Sequence, residues 1–439
     1  MRLTVRRPRL AASCLVVAAA LAACSTPSHE PTPSSPRGDS ASVAPSGTSE
    51  APAPDLDEPT SWGPTEAEIA DARELVADWT PEQLAGQVIV GRYFSTDPAE
   101  AASLVKDLHL AGMCVTSANV TDEAQVRATT QAISDAAAAD GRDFPAVVGV
   151  DEEGGSVAHL RGIATTFPAF QVAGMAVERD RADGGRAGRK AVLGAARASG
   201  LELRDLGFTW VFAPVADVTI GAADPTIGTR SAGMDPRTAA TATAAAVRGY
   251  DDAGIVSTAK HFPGHGSATA DSHLVMPRLT KSLAELRAHD LLPFKTAIRA
   301  GAPSIMLSHL DVEALAPGVP ASMAPEVYDF LREDMGFDGL AITDSMGMGA
   351  VATRRLPGVA ALQAGADLLL MPADTRGTHA TVTRAIADGT IPRERIEDAA
   401  ATVVAVQLWQ QRTADEVPVP ADATSRAERA SAALSAAAY

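Results

Sequence analysis

The stretch "IVSTAKHF", residues 255–262, is a near-continuous apolar run that ends in a lysine and a histidine. Seven other runs share its character: VIVGRYF (88–94), LAGMCVTS (110–117), AVVGVDEE (146–153), FTWVFAPVAD (208–217), SIMLSHLDV (304–312), GLAITDSM (339–346) and ADLLLMPAD (366–374). Runs of this kind read as strands buried on both faces of a parallel sheet. Between them lie Ala-rich segments with helical spacing, such as 186–206 and 236–253. In the last, 392–412, Ile396, Ala399, Val403 and Val406 line one face. Ahead of the first run, Thr80, Pro81 and Gln83 mark a helix start with a capping box. Eight such units in about 340 residues predict an α/β fold, a single (β/α)8 barrel of the TIM type. An open doubly wound sheet would usually carry a glycine fingerprint after its first strand, and GRYFSTD (91–97) is not one.

Five of the runs finish in polar, potentially reactive residues: Asp151, Asp217, Lys260-His261, Ser308-His309 and Asp344. In a barrel, the C-terminal ends of the strands form the active-site mouth. Charge gathered at that rim serves an enzyme and does little for a structural protein.

The chain begins with Arg2, Arg6, Arg7 and Arg9 ahead of an apolar run from Leu10 to Ala22, too short for a permanent membrane span. Residues 1–23 are therefore expected to be an export signal. They close on Leu21-Ala22-Ala23-Cys24, which resembles a bacterial lipobox and implies lipidation of Cys24. An ordinary cleaved signal peptide is the other reading. Residues 24–65, rich in Ser, Thr, Pro, Ala and Glu, are expected to be a disordered tether. The catalytic domain is expected at 66–412, with a polar, Ala-rich tail at 413–439. Cys114, in its apolar run, reads as a buried small hydrophobe with no disulfide partner. A formal net charge of −17 argues against a nucleic-acid partner.

Three of the nine histidines fall within AKHFPGHGSATADSH, residues 259–273. Pro263, Gly264 and Gly266 break any helix, so the i, i+4 geometry of a helical zinc site is lost. Acid–base chemistry fits better, because an imidazole exchanges protons near neutral pH and a carboxylate two residues away can orient it. Asp271 and His273 have that spacing. No nucleophile stands beside them in sequence. Asp344, in AITDSMGMGA, is either the N-cap of the following helix or a carboxylate nucleophile aimed into the same mouth. The second arrangement is that of a retaining glycosidase.

At this point the chain resembles a family 3 glycoside hydrolase of the NagZ-like exo-β-N-acetylglucosaminidase branch, from about residue 80 to 410. The resemblance rests on VDEEGG (150–155), FAPVADV (212–218), IGTRS (227–231), KHFPGHG (260–266), DSH (271–273) and ITDSMGM (342–348), in family order. It implies Asp344 as nucleophile through a covalent glycosyl-enzyme, His273 as general acid/base and Asp271 as its dyad partner. It also implies Asp151, Arg230, Lys260 and His261 as contacts to sugar hydroxyls, with no metal and no cofactor. The implied substrates are peptidoglycan fragments ending in β-linked N-acetylglucosamine; the protein is expected to be a monomer anchored through Cys24 on the outer face of the cytoplasmic membrane.

Neighbouring strand residues point to opposite faces, so Lys260 and His261 can both touch a sugar only where the backbone departs from regular strand. A strained or cis peptide within KHFP is the expected device. The chain also departs from the family. Ser156 and His159 stand where arginines are usual, and the nearest arginine is Arg161; Glu152 stands where the family has Gln. A substrate-binding cation is thus replaced by His159, supplied by Arg161, or missing. Two other readings stay open: a phosphorylase of the same family and a non-catalytic sugar-binding lipoprotein; a β-glucosidase of the family is not expected, because that branch carries its acid on an additional domain.

Overall fold

In the computed structural model, which describes residues 56–272 and 276–439, all eight apolar runs contain strands. They are β1 (Ile89–Gly91), β2 (Gly112–Val115), β3 (Val147–Val150), β4 (Trp210–Val211), β5 (Val256–Phe262), β6 (Ser304–Leu307), β7 (Leu340–Thr343) and β8 (Leu369–Leu370). Every neighbouring pair is parallel, and β1 pairs with both β2 and β8. A parallel bridge from Ile342 to Leu368 joins β7 to β8 and closes the ring. The fold is the (β/α)8 barrel that the alternation of runs and helices predicts. The expected signal segment 1–23, Cys24 and the tether as far as residue 55 lie outside the described residues, as does His273.

The absence of polar alternation in the runs has a direct cause. All seven residues of β5 are buried, because helices cover one face and the barrel interior the other. Phe262 sets its ring edge-on to Phe294 at 5.3 Å, and Trp210 donates its indole N–H to Thr258 Oγ1 at 2.7 Å. A buried Trp needs such an acceptor. At Gly112 a side chain is impossible, since a Cβ would sit 1.8 Å from the Val147 carbonyl oxygen of the next strand. Cys114 is buried and free.

Helices lie where the spacing places them, at Ala187–Asp205, Pro236–Asp251 and Arg393–Glu416. Thr80 and Gln83 form the expected capping box on the helix Pro81–Gln87. Two terminal segments differ from expectation. Residues 56–65, assigned to the tether, are folded: Trp62 is buried, and Gly63, at φ +116°, brings the backbone against the Trp409 ring. Residues 423–438, assigned to the tail, form a helix that packs against Gln171–Asp183 and Ala187–Asp205 and buries Ala423, Ala427 and Leu434. Its apolar positions are mostly alanines, whose small side chains suit close helix–helix contact but give a weak hydrophobic pattern. No helix among the described residues is long and apolar enough to cross a membrane.

Candidate active site

The C-terminal ends of the strands surround a cavity of about 670 Å³. Asp151, His159, Arg161, Arg230, Lys260, His261 and Asp344 all line it. Residues far apart in sequence, from Asp151 to Asp344, thus meet in one mouth because each lies near the C-terminal end of a strand or on the loop that follows.

Lys260 is 2% exposed and carries its ammonium between Asp151 and Glu153, the latter at 2.6 Å. Glu153 is also gripped by both arms of Arg230, at 2.8 Å each. Burial alone would push the Glu153 carboxyl up, but Lys260 and Arg230 outweigh it and hold the group well below the usual carboxylate range. A carboxylate with two cations around it is a fixed anion, and it locks both cations in place. Glu153 was visible in the sequence only as the second Glu of DEEGG; nothing in the spacing marks it as the hub.

The peptide bond between Lys260 and His261 is cis, and the ladder to β6 skips a residue here, pairing Lys260 with Met306 and Phe262 with Leu307. Both adjacent side chains reach the cavity, as the departure from regular strand requires. His261 Nδ1 lies 2.7 Å from Asp217 Oδ2, so Nδ1–H donates to the carboxylate and Nε2 is left towards Arg230, at 3.4 Å. Asp217 is fully buried and accepts two backbone N–H groups as well, from His261 at 3.2 Å and His265 at 2.6 Å. It fixes both the imidazole and the turn after it.

Asp344 follows β7. Its backbone N–H donates to Leu307 at 2.9 Å, and its Oδ1 accepts the Ser345 N–H at 2.7 Å. No described donor meets Oδ2. Burial raises the carboxyl, but the fields of His261 and His309 outweigh it and bring it down to about 2. His309, on the loop after β6, donates Nε2–H to the Ser345 carbonyl at 3.0 Å and so braces the segment beyond Asp344. Asp344 heads no helix; the next begins at Pro357, which removes the capping role.

The histidine loop is placed in part. Ser272 lines the cavity and bonds His265 Nε2 at 2.8 Å. Asp271 is half-buried beside it and does not line the cavity. The two substitutes for the family arginine are also resolved. His159 accepts the Ser117 N–H on Nδ1 at 3.2 Å, and burial pushes its pKa down, so it faces the cavity uncharged. Arg161 stands at the rim with its guanidinium on the Gly155 carbonyl. Arg92, after β1, lines the cavity too and was not anticipated. Its signal, a cation just beyond an apolar run, is present in GRYF.

The sequence profile of the glycosyl hydrolase family 3 N-terminal domain matches residues 80–406. The chain belongs to this family. Among curated members, it is 35% identical over 303 residues to the beta-hexosaminidase LpqI of Mycobacterium tuberculosis, covering 66% of this chain and 72% of that one. It is 31% identical over 295 residues to beta-hexosaminidase A of Pseudoalteromonas piscicida, covering 63% of this chain and 48%, about half, of that relative's length. Among solved structures of the family, a β-N-acetylglucosaminidase from a Paenibacillus strain superposes with a TM-score of 0.72 at 28% identity, covering 80% of this chain and 68% of that one. All of the strands that line the cavity fall inside the family-matched segment; the helix Ala423–Ala438 falls outside it.

Proposed function

We propose that the protein is a retaining exo-β-N-acetylglucosaminidase. One observation carries this: a carboxylate held in its ionised form, Asp344, faces the same cavity as Asp151, Arg230, Lys260 and His261. The four are charged or strongly polar groups of the kind that grip sugar hydroxyls. In the first step Asp344 attacks the anomeric carbon while His273 gives its proton to the departing glycosidic oxygen, leaving a glycosyl-aspartate. In the second, His273 takes a proton from water as the water oxygen displaces Asp344. Asp271 orients the imidazole. The beta-hexosaminidase names of the relatives support the N-acetyl sugar.

The substrates in this reading are peptidoglycan fragments with a terminal β-linked N-acetylglucosamine. The protein works as a monomer on the outer face of the cytoplasmic membrane, held by a lipid on Cys24 after removal of residues 1–23. The lipobox-like LAAC supports this placement.

The test is a chromogenic β-N-acetylglucosaminide assay with wild type and Asp344→Ala, run with and without phosphate. A fluorinated N-acetylglucosaminyl fluoride should trap the intermediate for peptide mapping. Turnover by wild type, loss of at least ~10⁴-fold in the variant, and an adduct on the peptide containing Asp344 are expected. Absence of turnover on any β-N-acetylhexosaminide, or an adduct elsewhere, would sink the reading. Accumulation of sugar 1-phosphate would give phosphate the place of water.

A further inference from the structure

The loop that follows β5 carries Asp271 and His273, and its first turn is seated hard against its neighbours. A Cβ on Gly264 would lie 2.7 Å from that of Asp290, and one on Gly266 would lie 2.4 Å from the Val218 carbonyl oxygen. The Gly266 carbonyl also accepts the Ile220 N–H at 3.1 Å. Between these two glycines sits His265, 1% exposed, with its backbone N–H on Asp217 at 2.6 Å. Ser267 is tied down next: its hydroxyl donates to Asp290 and accepts from the Lys281 ammonium at 2.7 Å. On the far side, Arg278 and Leu279 pair with Asp311 and Val312. Both roots of the loop are therefore fixed.

After Ser267 come Ala268 and Ala270, with only methyl groups, and an exposed Thr269. Ser272 then reaches back. Its Oγ lies 2.8 Å from His265 Nε2, and the serine is 1% exposed. Burial and the nearby His261 push the His265 imidazole below its ordinary range, so it bonds as a neutral ring. Asp271 and His273 flank Ser272 in sequence, and consecutive Cα atoms are about 3.8 Å apart. A tie at Ser272 thus limits where the chain on either side of it can go. We propose that His265 and Ser272 are positioning residues, whose hydrogen bond seats the loop so that its acid meets the glycosidic oxygen. This rests on the glycosidase reading above. Proton transfer needs hydrogen-bond reach, and a misplacement of ~1 Å can cost on the order of 10²-fold.

Leaving-group dependence reads this directly. A 2,4-dinitrophenyl β-N-acetylglucosaminide departs with little help from an acid, whereas the unsubstituted phenyl glycoside needs protonation. For both, kcat/KM ends at formation of the glycosyl-enzyme and so isolates the acid role. Ser272→Ala should lower kcat/KM about 10²-fold on the phenyl glycoside and less than ~3-fold on the dinitrophenyl one. Ser272→Thr keeps a hydroxyl and should recover most of the loss. His265→Gln keeps a nitrogen near Nε2 and should outperform His265→Leu in the same selective way. His273→Ala is the reference, selective in the same sense and by more. If it is selective while Ser272→Ala loses nothing, or loses equally on both substrates, the positioning role is overturned and the acid assignment stands. If His273→Ala is itself unselective in an active enzyme, the acid assignment fails and takes the proposal with it. Hydrogen exchange reads the tie without turnover: amides of residues 264–272 should lose protection in Ser272→Ala and regain it in Ser272→Thr. Unchanged protection overturns the tie even if the wild type cleaves nothing.

Discussion

At the residue scale, the fold sets two carboxylates to opposite charge states: Asp344, which lines the cavity, and Glu152, which does not. Asp344 is held at about 2, so it is ionised at neutral and mildly acidic pH. If it is the nucleophile, the acid limb of kcat/KM reports its loss of charge and falls near pH 2–3; a limb at pH 4–5 would contradict the assignment. Glu152, one residue before the paired Glu153, is its opposite. Burial raises its carboxyl to about 7, although it accepts the Leu160 N–H at 3.0 Å. Its folded pKa lies above the unfolded value, so ionisation is penalised in the native state alone. That penalty is absent below about pH 4, grows as pH rises, and is complete above about pH 7. Glu152→Gln keeps an acceptor for Leu160 and removes the penalty. Urea unfolding should show a gain on the order of 2 kcal/mol at pH 8 and none at pH 4. A gain independent of pH would rule out this cause. The sequence marks Glu152 as a departure from the family, but not its burial, which depends on a hairpin turning back over it from Val157.

At the element scale, the helix Ala423–Ala438 ties the rim to the barrel wall. Glu202, buried on the helix Ala187–Asp205, accepts the Thr165 N–H at 3.1 Å and its hydroxyl at 2.8 Å, and bonds Thr424 as well. Ser431 adds a hydroxyl to the Thr166 carbonyl at 3.1 Å. Thr165 and Thr166 continue the loop that presents His159 and Arg161 to the cavity. Removing residues 418–439 exposes the surface that Ala423, Ala427 and Leu434 cover and should cost about 3–5 kcal/mol by denaturant midpoint. It should also raise KM more than it lowers kcat, because a loop that lines the cavity loses its brace. An unchanged KM would leave the helix a purely stabilising part. The strands were legible because a run buried on both faces is apolar at every position. This helix was not, because alanine at the interface and alanine at the surface look alike in sequence.

At the scale of the molecule, the alternation of eight runs with helices carries the fold, and the polar residues at their ends gather in the mouth. What local pattern cannot carry is pairing across the barrel: Glu153 between Lys260 and Arg230, and Asp217 beneath His261, both depend on strands far apart in sequence. The anchor proposal has its own outcome. Expressed with its leader in a bacterium, the wild type should partition with detergent and Cys24→Ala should not; equal partitioning would mean that no lipid is attached.

The closure of the ring bears on how the chain matures. Ile89 pairs with Leu369, and Leu368 bridges Ile342, so the earliest strand finds its second neighbour only when nearly the last has been synthesised. Until residue 370 has been delivered, β1 and β7 remain open edges, which attract foreign strands. The barrel mouth is therefore complete only once almost all of the described chain has been made, and a stalled or truncated product is an aggregation risk, not a partly assembled site.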